Sequence, residues 1–378
     1  MQAAGAGMAL AGVHGVHGVH GVHGVHGVHG VHGVHGGAVD NEGDPLTAAA
    51  LAGSAEGTMG YWAGAASRSP GVGTLWQNFA RMQPDARVVA LRHELAPYFA
   101  VDSQGAVEGV SVLPGLAFTQ RLLQLTPPTV AELAGQLTHL RTAADLRADR
   151  LAEIIVQQGD MLSFYGAQFN LHPERKKWTL LMLLAAYEAV IVPEMRLKLA
   201  CSLPRPIDFA PQVQPIILTP SHSTYPSGHA TEAFTFATML TLLDLSAAGA
   251  ANPIASLLGQ LDPAFGAGPA ELLPFRLAAR IAENRTVAGV HFPIDSMHGA
   301  LLGLSVGLAL FAAISPTGGS VPRWTATAAG NLDYFTLDSW RGSLAGWRAA
   351  AGGDVTVAGS AAASLLGGLW TAVQGEWV

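Results

Sequence analysis

Cysteine is almost absent from this sequence of 378 residues, which contains only Cys201. A single thiol cannot form an intramolecular disulfide, so the fold does not depend on oxidation. Cys201 lies close to a helical segment, where we expect a small packing residue rather than a reactive thiol.

Charge is also scarce, because Asp, Glu, Lys and Arg together make up 12% of the chain, about half the usual share. The formal net charge of −7 argues against a general binder of nucleic acid or of acidic membranes. Hydrophobic residues account for 49% and can supply a large core. Where the few cations gather, their position is therefore informative.

The chain lacks a recognisable secretory signal. Residues 1–12, MQAAGAGMALAG, have neither a basic n-region nor a continuous apolar h-region. The sequence therefore gives no support for export, and a cytoplasmic location is the default expectation, although the compartment and the oligomeric state stay undetermined.

Long apolar runs are rare, and Gly299–Ile314 stands out among them. Its sixteen uninterrupted apolar or small residues span about 24 Å as a helix, against a hydrocarbon core of about 30 Å. Glycines at four-residue spacing would permit close helix contact in a membrane, so a transmembrane helix is the alternative. No set of five or six comparable segments accompanies it. We predict a buried core helix and no transmembrane insertion.

Residues 13–36 repeat Val-His-Gly eight times. A period of three with glycine in every unit suits neither an amphipathic helix nor a strand. We therefore expect residues 1–60 to be a disordered, low-complexity, His- and Gly-rich segment. Adventitious binding of Zn, Ni or Cu by the imidazoles is the alternative.

The remaining chain predicts an all-α fold, a helical bundle with irregular loops around the site. We expect residues 61–315 to form the main helical domain, in which 61–128 are mixed helix and loop. We expect residues 316–378 to form a Gly/Ala-rich extension whose tryptophans pack onto the globule or onto a partner. Apolar residues at helical spacing predict helices over Thr129–Gln168 and Trp178–Val192. Pro193 kinks the second helix or restarts it, and the next turn carries Lys198.

Three arginines on the first of these helices, at 141, 147 and 150, have two interpretations. They could form an anion-binding stripe. A solvated face on which they pair with Asp145, Asp149 and Glu153 is the favoured interpretation, because these acids lie at helical spacing.

The chemistry is concentrated between Lys198 and Asp295, where the residue types suit a tetrahedral or trigonal-bipyramidal oxyanion. Lys198, Arg205 and Arg285 can supply charge-assisted hydrogen bonds. Ser227 can add a hydroxyl and Gly228 an unhindered backbone N–H at a helix N-terminus.

Two histidines remain for the reacting atom. Of His229 and His291, one can be ligand or nucleophile and the other the general acid or base. Asp295 follows His291 by four residues, so it can accept the other ring N–H and fix the tautomer.

These motifs resemble the three signature motifs of the superfamily of type 2 phosphatidic acid phosphatases and vanadium haloperoxidases. They are Lys198 with Arg205-Pro206, then Pro226-Ser227-Gly228-His229, then Arg285 with His291 and Asp295. The family's third motif usually opens with Ser before the Arg, where this chain has Asn284. An amide can still donate to an oxyanion or to a neighbouring backbone group, so we expect the site to be retuned and not lost.

The resemblance implies two possible chemistries in one pocket. In a phosphatase, His291 would attack phosphorus and His229 would protonate the leaving alcohol. In a haloperoxidase, His291 would be the axial ligand of vanadate, held by Lys198, Arg205, Ser227, Gly228 and Arg285. Hydrogen peroxide and halide would then be substrates. Motifs alone cannot separate the two, because vanadate mimics phosphoryl transfer.

His222 favours the haloperoxidase branch. The corresponding position is histidine in algal bromoperoxidases and Phe in the fungal chloroperoxidase, so the resemblance implies bromide or iodide rather than chloride. A loop histidine that binds backbone is the alternative interpretation of His222.

We therefore predict a vanadate-dependent haloperoxidase-like enzyme. The first alternative is a soluble phosphatase acting on phosphate monoesters through a phosphohistidine at His291. The second is a histidine-rich metal-binding protein whose catalytic domain is vestigial. The expected partners are small molecules and no nucleic acid.

Overall fold

Helices make up most of the structure, a computed structural model that describes residues 45–104, 107–112, 121–262, 272–329 and 332–378. The all-α prediction is confirmed. The helices are α1 Pro45–Met59, α2 Leu75–Arg81, α3 Pro84–Leu95, α4 Val130–Gly135, α5 Leu137–Ala143, α6 Arg147–Gln157, α7 Leu162–Phe169, α8 Lys177–Cys201, α9 Pro206–Phe209, α10 Gly228–Ala247, α11 Pro253–Leu261, α12 Leu273–Val287, α13 Pro293–Ile314, α14 Leu337–Ala351 and α15 Leu365–Gln374. Short 3-10 turns cover Ala96–Tyr98, Ala144–Leu146 and Pro211–Val213.

Two small sheets accompany the helices. The strands are β1 Phe99–Gln104, β2 Val107–Val112, β3 Arg121–Thr126, β4 Gly319–Pro322, β5 Trp324–Thr327 and β6 Asp354–Val357. One sheet has the order β1-β2-β3-β5 and the other pairs β4 with β6. All pairs are antiparallel except β3 and β5, where Leu123 lies opposite Trp324.

The prediction of helix and loop over residues 61–128 is wrong where β1, β2 and β3 lie. Short apolar runs such as Leu122–Leu125 do not distinguish a strand from a buried helical turn by periodicity. The parallel partner of β3 comes from about 200 residues later in the chain. That partner, β5, brings the C-terminal residues into the main core, where Trp324, Trp340 and Trp347 are buried.

Helix α13 forms the centre of the core and packs against α10. Every residue of α13 is buried. A Cβ at Gly303 would overlap the Thr231 carbonyl oxygen and lie 2.9 Å from the Phe234 Cβ, so glycine is what lets the helices approach this closely. Among the described residues, α13 is the one helix long and apolar enough to cross a membrane. Its most apolar stretch is wholly buried inside the protein.

Helix α8 runs for 25 residues with Pro193 in its interior and carries Lys198 in its last turns. Its N-terminus is held by the C-terminal tail. The Glu376 carboxylate accepts hydrogen bonds from the backbone N–H groups of Trp178 and Thr179, each at 2.8 Å. An acidic side chain at this position satisfies free helix donors and complements the helix dipole.

Helix α1 falls inside the segment expected to be disordered, so that expectation is wrong for residues 45–59. Its alanines and leucines have high helix propensity, which the low-complexity argument neglected. The described side chains of α1 are exposed. The Val-His-Gly tract, residues 13–36, lies outside the described residues.

Candidate active site

A cavity of about 490 Å³ opens between the N-terminus of α10, the end of α12 and the loop before α10. It is lined by Gln158, Gly159, Ile217, Leu218, Thr219, Pro220, Ser221, His222, Gly228, His229, Arg285, Val290 and His291. Five of the predicted site residues are therefore on its wall. The other four, Lys198, Arg205, Ser227 and Asp295, do not line it. Arg205 and Asp295 contact His291 on the wall, whereas Lys198 and Ser227 hold the backbone around Gly228.

The start of α13 holds His291 in place. Asp295 lies in the first turn of α13, where its Oδ2 accepts the Phe292 N–H at 2.9 Å. The same oxygen lies 3.1 Å from His291 Nδ1 and accepts the Thr224 hydroxyl at 2.5 Å. A local capping interaction thus fixes the carboxylate, and the carboxylate orients the imidazole.

The contacts of His291 define its tautomer. Its Nε2 lies 3.1 Å from Arg205 Nη1, and because a guanidinium only donates, Nε2 accepts. The ring hydrogen of the neutral imidazole is therefore on Nδ1, facing Asp295. Burial, followed by the nearby positive charges of Arg205 and Lys198, lowers the pKa of His291 well below its usual value. His291 is therefore a neutral imidazole whose Nε2 lone pair is directed at Arg205 Nη1.

Asp295 titrates differently from an exposed aspartate. Burial raises the pKa of Asp295 to about 6, although hydrogen bonds from Thr224 and from the Phe292 N–H act in the opposite direction, as do the charges of Arg205 and Lys198. The carboxylate is ionised above that pH, where it can accept the Nδ1 hydrogen of His291.

Arg205 bridges His222 and His291, two of the three histidines on the cavity wall. Its Nε donates to the His222 carbonyl at 3.0 Å, its Nη2 lies 3.1 Å from His222 Nδ1, and its Nη1 donates to the Val290 carbonyl at 2.8 Å. Burial lowers the pKa of Arg205 to about 10, with Asp295 opposing the change. The guanidinium is thus a charged bridge at the edge of the pocket.

Lys198 lies under the loop that precedes α10. Its ammonium donates to the carbonyls of Ser223, at 3.4 Å, and Pro226. Glu194 lies one turn earlier on α8, with Oε1 3.9 Å from Nζ. The lysine is buried, and it holds the backbone immediately before the Ser227-Gly228-His229 turn.

That turn forms the N-terminus of α10. Ser227 is the N-cap and its hydroxyl accepts the Ala230 N–H at 3.4 Å, while its own N–H donates to the Asp295 carbonyl at 2.9 Å. The peptide bond before it, Tyr225-Pro226, is cis. His229 Nε2 lies 3.1 Å from the Gln157 carbonyl, and because a carbonyl only accepts, this nitrogen carries a hydrogen. Gly228 and His229 reach the cavity from the positive end of a 20-residue helix.

Two donors of Arg285 meet no acceptor in the part of the chain that the structure describes. Its Nη2 donates to Gln157 Oε1 at 3.2 Å and to the Ile154 carbonyl at 3.4 Å. Among the described residues, no acceptor lies within hydrogen-bond distance of its Nε or Nη1, and both atoms are buried. Burial lowers the pKa of Arg285 to about 10, opposed by Glu232. A cavity-lining guanidinium with two such donors calls for an anionic acceptor, since buried donors are normally satisfied.

Asn284 contacts side chains and not the cavity. Its amide donates to the side chains of Glu153, at 3.1 Å, and Gln157, at 2.9 Å. Among the described residues it neither lines the cavity nor donates to a backbone group, so the two contacts considered for this amide are not formed. Asn284 instead supports Gln157, the residue that contacts both Arg285 and His229.

The solvated-face interpretation of the arginine stripe holds for Arg141 alone, which is 79% exposed and pairs with Asp145. It is wrong for Arg147 and Arg150. Arg147 donates to the carbonyls of Val213, Gln214 and Val287 at 2.8–3.0 Å, tying the loop before α10 to the end of α12.

Arg150 also faces inward, with its Nη1 donating to Asn284 Oδ1 at 3.0 Å and its Nη2 to Glu283 Oε2 at 3.2 Å. Helical spacing shows which residues share a face but does not show whether another helix covers it. In this fold α12 covers part of α6 and converts two surface charges into structural contacts.

Sequence reasoning missed Thr224 and Gln157. Thr224 lies in the motif loop between His222 and the Tyr225-Pro226 bond, so its position in the sequence could have indicated a hydroxyl near the site. Nothing in the sequence indicates Gln157, because it is one polar residue at the end of α6. Its role depends on α10 and α12 packing against it.

The donor set favours an oxyanion over a bare metal ion. Within the described ranges, no group of three or more His, Cys, Asp or Glu side chains could hold a metal ion. The two donors of Arg285, the N-terminus of α10 and the accepting Nε2 of His291 instead suit a group with several negative oxygens and one central atom.

A comparison with protein families finds a match that spans the site. Residues 176–317 match the family model described as PAP2 superfamily, and the matched segment contains the whole stretch from Lys198 to Asp295. No curated protein matches the chain. The match supports the PAP2 superfamily, whose members are generally phosphatases or haloperoxidases.

Proposed function

Starting from this PAP2 superfamily segment, we propose that the chain is a vanadate-dependent haloperoxidase-like enzyme. It would use hydrogen peroxide to oxidise bromide or iodide to hypohalous acid. The observation that best supports this choice is a third imidazole on the cavity wall, because His222 lines the same cavity as His229 and His291 and its Nδ1 lies 3.1 Å from Arg205 Nη2. Peroxide chemistry must move protons beside the bound anion, which a third imidazole can do near neutral pH.

The residues present fit vanadate. Arg285 would use the two donors for which the described residues offer no acceptor, and the backbone N–H of Gly228 would add the helix N-terminus. Arg205 and Lys198 would balance the negative charge from behind the wall, and Ser227, the N-cap of α10, would hold that helix terminus in place. His291 would ligate through Nε2, with Arg205 Nη1 giving up its contact with that lone pair and keeping its hydrogen bond to the Val290 carbonyl.

When bound, vanadate supplies a Lewis-acid centre that activates peroxide toward the halide. The protein's part is to prepare the site. Asp295 keeps the Nδ1 hydrogen of His291 in place, so the lone pair stays on Nε2. His229 and His222 hold or release protons at the cavity wall.

Hydrolysis of phosphate monoesters is the second candidate. A neutral His291 with an accepting Nε2 is also what a nucleophile at phosphorus requires, and it favours this function independently of His222. His229, whose Nε2 carries a hydrogen, would then protonate the leaving alcohol.

Two assays on one preparation separate the candidates. Halogenation of a phenol reporter that requires both added vanadate and peroxide supports the haloperoxidase. Hydrolysis of p-nitrophenyl phosphate inhibited by vanadate, with no halogenation, supports the phosphatase. Hydrolysis by the vanadium-free protein does not discriminate alone, because the same pocket would accept phosphate esters in either case.

A substitution at His222 sharpens the test. In the haloperoxidase, H222Q lowers halogenation by about tenfold or more, in keeping with loss of a proton-transfer group, while vanadate binding is retained. The matched control H172Q changes an exposed histidine outside the cavity and leaves halogenation unchanged. Full halogenation by H222Q would contradict the observation on which the choice rests.

A further inference from the structure

Lys198 and Glu194 form an ion pair inside the protein. They lie one turn apart on α8, with 3.9 Å between Nζ and Oε1, and each side chain is only 1% exposed. The other contacts of the ammonium are the carbonyls of Ser223 and Pro226. Carbonyl dipoles stabilise a buried cation less than a neighbouring carboxylate does, so the charge on this lysine depends on acids nearby.

Charged groups face Lys198 from each element around it. They are Glu194 on the same helix, Glu232 on α10, Asp295 on α13, Arg205 next to α9, and His291 just before α13. Burial lowers the pKa of Lys198 to about 8, and Glu194 opposes that change most strongly. Glu194 does not line the cavity, so it acts on a bound anion through neighbouring cations, most strongly Lys198 and also Arg205.

We propose that Glu194 is a positioning residue that keeps Lys198 cationic, and that it thereby sets the upper pH limit of oxyanion binding. The charge of Lys198 is a property of the protein alone, whereas its effect on the anion rests on the proposed function. In this role Glu194 neither touches substrate nor ligates the central atom. Neutralising it would leave burial and Arg205 opposed only by the weaker influence of Asp295 and Glu232, so the neutral form of the lysine would be favoured.

The composition of the chain permits a direct test. Its lysines are Lys176, Lys177 and Lys198, so protein labelled with ¹³C at lysine Cε gives three signals, assigned with K176R and K177R. Titrating the full chain without any oxyanion reports the midpoint of Lys198. In E194Q we expect that midpoint to fall by about one pH unit or more. An unchanged midpoint overturns the proposal.

The matched control is E188Q, which removes the same charge from the same helix. Glu188 is 21% exposed and pairs with Arg92. It is not among the charged groups that shift the pKa of Lys198. We expect the Lys198 midpoint in E188Q to equal that of the unmodified protein. A shift as large as in E194Q would overturn the assignment, since any lost acid on α8 would then suffice.

Two further measurements keep the test decisive. If E194Q does not fold, E194D is used instead, since it keeps the charge but moves it away from Lys198 by one methylene. We then expect a smaller downward shift of the Lys198 midpoint, and no shift would overturn the proposal. Inorganic phosphate is then titrated by calorimetry at about pH 6 and about pH 9. Relative to the unmodified protein, E194Q should bind about tenfold more weakly at the higher pH and no more weakly at the lower one.

The two arms also separate this inference from the function proposed above. The lysine titration contains no vanadate, peroxide or ester, so failure of both activity assays leaves its outcome unaffected. Conversely, halogenation with an unchanged Lys198 midpoint in E194Q would sustain the function and refute the role of Glu194.

Discussion

His291 Nδ1 lies 3.1 Å from Asp295 Oδ2, and both side chains are buried. Asp295 is in the first turn of α13, and His291 lies just before that helix. That oxygen also accepts the Phe292 N–H, so the carboxylate cannot rotate away without leaving a backbone donor unsatisfied. The orientation of the imidazole is therefore tied to the start of the helix. Helix α13 is fully buried, which makes this anchor rigid.

Replacing Asp295 by Asn should disable the site without dismantling it. An amide can donate to Nδ1, which would move the ring hydrogen to Nε2 and place it against Arg205 Nη1. We expect activity and vanadate affinity to fall by about 10- to 100-fold, measured by steady-state rates and by vanadate titration.

The control for D295N is D102N, which alters another largely buried aspartate. Asp102 lies on β1 and pairs with Arg121 at 2.7 Å, and neither residue lines the cavity. The substitution should cost stability at most. Equal losses of vanadate affinity in D102N and D295N would mean that general destabilisation, and not the tautomer of His291, is responsible.

Substituting Arg285 by Lys tests whether its two donors bind the anion. Lysine keeps the charge but loses the planar fork, so Nε and Nη1 have no equivalent. Phosphate and vanadate should bind about 10- to 100-fold more weakly, the worth of one or two charge-assisted hydrogen bonds. The comparison variant R280K changes an arginine on the same helix that is 46% exposed and pairs with Glu153; phosphate affinity measured by calorimetry should not change there.

Arg147 should matter to anion binding although it is outside the motifs. Through three carbonyls it fixes one wall of the cavity, and lysine cannot reproduce that pattern. In R147K we expect weaker phosphate binding, by several-fold, and faster proteolysis in the loop from Phe209 to Ser221. R141K provides the exposed counterpart on α5. Identical proteolysis rates in the two variants would rule out the tether.

The motif residues could be predicted from sequence because their spacing and chemistry are local or are shared with a family. Ser227 caps α10 and Asp295 caps α13 within their own turns. Contacts that join separate elements could not be predicted in this way. Gln157 and Arg147 acquire their roles only where α6 meets α12, and β3 acquires its parallel partner from the far end of the chain.

The apolar run Gly299–Ile314 also combines a feature that the sequence predicts with a contact that it does not. Hydropathy and length predicted a buried helix, and α13 is fully buried. The glycines at four-residue spacing predict that another helix can pack closely against this one, but they do not show which helix it is. The structure gives α10, with the Thr231 carbonyl directly over Gly303.

Gly303→Ala should therefore destabilise the fold. The new methyl would collide with the Thr231 carbonyl, which is helical backbone and cannot move without displacing α10. We expect a loss of about 3 kcal/mol in the free energy of unfolding, measured by urea denaturation. Gly342→Ala is the matched control, because a Cβ on that exposed position of α14 meets no atom within 4 Å. It should be neutral or stabilising by up to about 1 kcal/mol.

Phosphate binding should weaken above about pH 8, where the first of the three site cations loses its proton. Burial lowers the pKa of Lys198 to about 8, so the ammonium is present below that pH and neutral above it. Arg205 and Arg285 keep their charges until about pH 10. The affinity for phosphate, measured by calorimetry from about pH 6 to 9, should fall on the alkaline side by up to about tenfold per pH unit.

K198R should extend binding to higher pH because a guanidinium stays protonated there, whereas K177R, at the other end of α8, should follow the unmodified protein. An alkaline decline that K198R leaves in place would assign it to a group other than Lys198.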